Sequence, residues 1–168
     1  VNLATQNKMR LYEEQKSEYT FRALSSLIKS LNQAHSLFPH IKFDMTIIDH
    51  NSKDKDINQI KKQLSKGSFN TSLVSLDTNL FKDKIKLTNE KNKRITDNMI
   101  SNMSSIYKSI IVAKDNADDL IYLVEDDYLH QNDTITEMLY TYERLSSQLN
   151  QDIVLCPADY PYLYTKSD

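Results

Sequence analysis

The chain has 168 residues, enough for one domain with a real core. Hydrophobic residues make up 39% and charged residues 26%, a balance that excludes a disordered chain. The net charge of -2 supplies no bulk field toward nucleic acid or an anionic membrane, and no apolar run reaches the length of a transmembrane segment.

Val1 to Asn7 reads as the end of a strand followed by a polar turn, with no signal peptide visible, and Lys8 to Thr20 reads as a polar loop. Phe21, Leu24, Leu27, Ile28 and Leu31 recur at three- and four-residue spacing. They predict a helix with Thr20 as its N-cap, ended by Pro39. Arg22, near its start, is either a phosphate contact or a solvated helix residue. Ile41 to Ile48 alternates and then becomes fully apolar, as a strand entering a sheet core does. It runs into Asp49-His50-Asn51-Ser52-Lys53-Asp54, a polar turn of the sort at which open α/β sheets bind ligands. His50 by itself fits an ordinary exposed turn equally well. Ile57, Ile60 and Leu64 predict the next helix, with Gly67 at its stop. Gly67 is the only glycine, which excludes the glycine-rich phosphate loops.

Thr71 to Leu76 reads as a second strand and Phe81 to Leu87 as a short third one. Thr88 to Asn98 is a polar loop whose Lys91, Lys93 and Arg94 either meet a diphosphate or stay solvated. The helical period returns in Met99, Met103, Ile106, Tyr107, Ile110 and Ala113, and Asn116 to Asp119 closes that helix. Leu120 to Val124 then runs straight into Glu125, Asp126 and Asp127, so a buried strand is expected to deliver three carboxylates to its end. Adjacent negative charges repel, and a hard divalent cation such as Mg²⁺ or Mn²⁺, shared with a phosphate-bearing substrate, would offset that repulsion. The plainer alternative is a solvated acidic turn. Thr134-x-x-Glu137 matches a capping box ahead of a helix carrying Ile135, Leu139, Tyr142, Leu145 and Leu149. Ile153 to Cys156 reads as a last strand with a buried thiol. As the single cysteine, Cys156 rules out an intramolecular disulfide and fits a reducing compartment. Pro157 to Tyr164 is an aromatic-rich turn, either a stacking surface for a sugar or base or a cover for a hydrophobic edge.

The alternation of strands and helices predicts a mostly parallel α/β sheet. In such a sheet Asp49-His50 and Glu125-Asp126-Asp127 lie at the same edge and face one crevice. The first group suits a nucleobase or ribose and the second a metal bridging two phosphates, a design that activates a nucleotide diphosphate as leaving group without a glycine-rich loop.

Three motifs carry a family resemblance. Ile47-Ile48-Asp49-His50-Asn51-Ser52 is similar to a strand ending in a D-D-G-S or D-N-x-S turn. Glu125-Asp126-Asp127 is similar to a D-x-D motif, and Thr5-Gln6-Asn7 to a turn after a first strand. Together they resemble a GT-A type glycosyltransferase of the family 2-like sort, as does the run Val124 to His130 followed by Cys156 to Tyr164. The resemblance implies a GT-A (Rossmann-like) α/β/α sandwich over residues 1–168, and a fragment incomplete at both ends. It implies transfer of a sugar from a UDP- or GDP-sugar to a carbohydrate or lipid-linked acceptor hydroxyl, with Mn²⁺ or Mg²⁺ as cofactor. Asp127 with Glu125 would hold the metal. Glu125 and Asp126 would contact the ribose or metal, Asp49 or His50 would sit beside the base, and Thr5 near the nucleotide. The acceptor base would be Asp159, or a carboxylate beyond Asp168. The expected location is the cytoplasm, or the inner face of a membrane as a peripheral protein. His50 departs from the acid or asparagine common at its position. A non-catalytic nucleotide-sugar-binding module is the alternative. A receiver-type domain is disfavoured because no lysine follows Ile153 to Cys156 before Lys166.

Overall fold

The computed structural model describes residues 1–3, 15–88 and 91–157. Its elements in chain order are α1 (Lys16–Leu37), β1 (Asp44–Asp49), α2 (Asp54–Leu64), β2 (Asn70–Ser75), a 3₁₀ segment (Thr78–Lys84), α3 (Asp97–Asn116) and α4 (Thr134–Leu149). β1 and β2 pair in parallel with α2 as the crossover, and Asp49 stands opposite Ser75 at the carboxyl end. The fold is therefore α/β.

Successive strand residues face opposite sides of a sheet, and here that period separates two cores. Ile47, with Met45 and Leu73, packs against Leu24 and Ile28 of α1 and Ile60 and Leu64 of α2. Ile48, with Val74, packs on the other side against Leu76, Phe81, Ile85 and Ile95, and against Ile100, Tyr107 and Ile111 of α3. Helices thus cover both faces of the sheet. A third cluster holds α4 on α1, with Ile135, Met138 and Leu139 against Leu27, Ala34 and Phe38.

The α1–α4 contact is also polar. Ser30 is fully buried, and its Oγ accepts the Ile135 amide at 3.0 Å. Ser26 Oγ accepts the His130 amide at 3.0 Å. Asp133, the residue before α4, makes no side-chain cap. The capping box expected at Thr134 is absent because Thr134 is already helical. Its donor-satisfying role falls to a hydroxyl from another helix.

Several other expectations are corrected. α1 starts four residues before Thr20, so Thr20 is a buried helix residue and not the N-cap. Phe81 to Leu87 is no strand. Phe81 lies in the 3₁₀ segment, which Asp77 opens by accepting the Asn79 amide at 2.9 Å. Thr96 caps α3 by accepting the Met99 amide at 3.3 Å. Met99, Met103, Ile106 and Ile110 of α3 are exposed, and the neighbouring stripe Ile100, Ser104, Tyr107 and Ile111 faces the sheet. Ser104 is fully buried, so the smaller stripe is the one that lets the helix approach.

Leu120 to Val124 forms no ladder, and all five side chains are exposed. An apolar run becomes a strand only where a neighbouring backbone offers ladder bonds. On the side of β1 away from β2, the described neighbour is Val1–Leu3. The Val1 amine donates to the Ile48 carbonyl at 2.6 Å, and the Val1 carbonyl accepts the His50 amide at 2.9 Å. That is one parallel ladder step opposite Asp49, which agrees with the strand end expected at Val1. Ile153 to Cys156 likewise forms no strand. Val154 is 97% exposed and the Cys156 thiol is exposed, not buried. No described helix is long and apolar enough to cross a membrane.

Candidate functional site

The carboxyl end of β1 is built by its own turn. Asp49 is buried, with both oxygens engaged: Oδ1 accepts the Ser52 hydroxyl at 2.5 Å and Oδ2 accepts the Ser52 amide at 3.2 Å. Ser52 Oγ in turn accepts the Leu3 amide at 3.1 Å. Asn51 makes the bend possible with φ 58°, in the left-handed region that asparagine tolerates better than most residues. Asp49 is therefore the anchor that ties the turn and Val1–Leu3 together.

His50 is half-buried beside it. Its Nδ1 lies 2.7 Å from Ser101 Oγ of α3 and 3.4 Å from Asn2 Nδ2, and its Nε2 lies 3.2 Å from the side-chain amide of Asn51. Ser101 is 7% exposed. The imidazole is thus held on one nitrogen and open toward an exposed asparagine on the other.

The acidic triplet follows the apolar run without a ladder. Asp126 and Asp127 form a turn, Asp126 half-buried and Glu125 and Asp127 exposed. Asp126 Oδ2 pairs with Lys16 Nζ of α1 at 3.4 Å. Tyr122 Oη and His130 Nε2 meet at 2.9 Å, with burial raising the tyrosine pKa and lowering that of the histidine.

The structure thus places Asp49 and His50 at the carboxyl end of β1, and ties Asp126, with Glu125 and Asp127 on either side of it, to Lys16 of α1. Thr5 and Asp159, with the Thr5-Gln6-Asn7 turn and the aromatic stretch after Pro157, lie outside the described residues. Sequence reasoning placed Ser52 in the turn motif without giving it a role, and missed Lys16 and Ser101. Ser52 had a local signal, since a serine three residues after an aspartate favours a hydrogen-bonded turn. Lys16 and Ser101 had none, because only the folded chain brings them to the site.

Glu125 and Asp127 are hard oxygen donors suited to Mg²⁺ or Mn²⁺. Among the described residues no group of three or more His, Cys, Asp or Glu is placed to hold a metal ion. Comparison with protein-family models, with curated proteins and with solved structures gave no match to this chain.

Proposed function

We propose that the chain is the donor-binding domain of a metal-dependent glycosyltransferase of the GT-A type, which takes a UDP- or GDP-sugar and transfers the sugar to a carbohydrate or lipid-linked hydroxyl. The supporting observation is the turn at the carboxyl end of a parallel strand, where Asp49 anchors Ser52 and His50 and Asn51 follow it. Ligands of open α/β sheets bind at that end.

On this reading Asp49 does not touch the nucleotide through a free carboxylate. It shapes the turn that presents His50 and Asn51 to the base. Lys16 neutralises Asp126 and leaves Glu125 and Asp127 as the exposed pair for the metal. The bound cation would supply charge stabilisation for the departing diphosphate. The chain's own contribution is orientation: the base at β1, the diphosphate toward the triplet.

The test is thermal unfolding with Mn²⁺ and UDP, GDP, ADP or CDP. A rise in melting temperature with UDP or GDP that Asp127→Asn abolishes supports the reading. Unchanged curves with every nucleoside diphosphate refute it. A shift without donor hydrolysis or transfer replaces it with a non-catalytic nucleotide-sugar binder.

A further inference from the structure

We infer that Ser101 is a positioning residue that, with Asn2, fixes the neutral His50 imidazole as its Nε2–H tautomer, so that the ring offers a hydrogen-bond donor to a ligand oxygen at the β1 turn. The ligand half of this inference rests on the nucleotide reading above, and the tautomer half stands without it.

Two donors converge on one ring nitrogen. Ser101 Oγ lies 2.7 Å from Nδ1 and Asn2 Nδ2 lies 3.4 Å from it. Ser101 is 7% exposed, and the imidazole is the polar partner of its hydroxyl among the described residues. A buried hydroxyl left without an acceptor costs about 1–3 kcal/mol. If Nδ1 carried the proton, it would donate to Ser101 Oγ and strand the serine O–H in the space between α3 and β1. With Nδ1 bare, the serine and the Asn2 amide both donate to it. The proton then sits on Nε2, because a neutral imidazole carries one.

Nε2 faces the Asn51 amide at 3.2 Å. Asn51 is exposed, and a half-turn of its amide exchanges Nδ2 for Oδ1 at the same point. That partner therefore adapts to the ring, whereas buried Ser101 constrains it. A ligand replacing Asn51 at Nε2 must present an acceptor, such as the keto oxygen of uracil or guanine.

Serine in place of a carboxylate as the orienting partner also matters. It fixes the ring without adding charge beside Nδ1. Asp49, the adjacent carboxylate, is occupied by Ser52.

The experiment is long-range ¹H–¹⁵N correlation on His50 with the ring neutral, in the unsubstituted protein, Ser101→Ala and Ser101→Thr, with and without UDP or GDP plus Mn²⁺. The expected pattern is Nε2–H in the unsubstituted protein, a mixture of tautomers in Ser101→Ala, and recovery in Ser101→Thr, which keeps the hydroxyl. Nucleotide should then shift the Nε2 resonance. Ser101→Ala should weaken binding about three- to tenfold, the scale of one neutral hydrogen bond, and Ser101→Thr should restore it. Circular dichroism and melting curves separate this from misfolding, since packing loss alone would lower the melting temperature and leave the tautomer unchanged. Nδ1–H in the unsubstituted protein, or an unchanged tautomer in a folded Ser101→Ala, overturns the positioning role. The expected tautomer with nucleotide bound but Nε2 unmoved overturns the donor role. No nucleotide binding at all refutes the nucleotide reading, and with it the donor role.

Discussion

Replacing Asp49 by Asn separates a structural anchor from a ligand contact. The substitution conserves shape, so its cost is electrostatic. In the native turn one carboxylate oxygen accepts the Ser52 hydroxyl at 2.5 Å and the other accepts the Ser52 amide at 3.2 Å. Hydrogen bonds to a charged group contribute about 1.5–3 kcal/mol, and neutral ones about 1. Asparagine keeps one acceptor oxygen and turns an NH₂ toward the second donor, so one bond is lost and the other becomes neutral. The expected destabilisation is about 2 kcal/mol, which at roughly 2–4 °C per kcal/mol for a chain of this size lowers the melting temperature by about 4–8 °C. Urea unfolding followed by far-ultraviolet circular dichroism should show a lower midpoint with an unchanged slope. Ser52→Ala should lose a similar amount, and the double substitution should cost less than the sum of the two by about 1 kcal/mol or more, because both remove the same contacts. An Asp49→Asn protein within about 0.5 kcal/mol of the original, or strict additivity with Ser52→Ala, would refute the anchoring argument and return the carboxylate to the ligand.

Three further outcomes follow from the same physics. Ser30→Ala removes the acceptor of the Ile135 amide in a fully buried position and should cost about 1–2 kcal/mol, read as a lower urea midpoint and faster exchange at that amide. Burial lowers the His130 pKa below its ordinary 6.5, and its Nδ1 is buried with no partner among the described residues. The unfolded chain therefore takes up this proton first, so His130 contributes stability that is complete above pH 6.5 and is lost as pH falls toward the depressed value. His130→Gln should flatten that part of a stability–pH curve, and an unchanged curve would show that the ring is solvated. Among the described residues, brief chymotrypsin treatment should cut first after Tyr122, exposed in a segment without ladder bonds. Cleavage confined to the helices would contradict the structure.

The two-sided sheet was legible because Ile47 and Ile48 are both apolar, and a strand of period two must then bury both faces. The first two helices and both paired strands were legible for the same reason: bulky residues recur at the right period. The inward face of α3 was not, because the helix carries apolar residues on two sides. The deciding feature is the small volume of Ser104, which a count of large residues ignores. Leu120 to Val124 misled for a different reason. Its composition specifies an extended backbone, but ladder formation depends on the neighbour, which composition does not contain. At the candidate site Asp49 and His50 were visible at the strand end. Ser52, three residues on, stood in the same motif, but its bond to Asp49 and the partner Ser101 in a distant helix emerged only with the fold.

The hydroxyl that Ser30 lends to Ile135 spans 105 residues of chain. A helix capped by its own neighbour can begin to form as soon as its residues meet. α4 instead waits for α1 to arrive before its first turn is satisfied. Such an arrangement joins the two helices into one cooperative folding unit. It also raises the mean sequence separation of native contacts, which slows the search for the native topology.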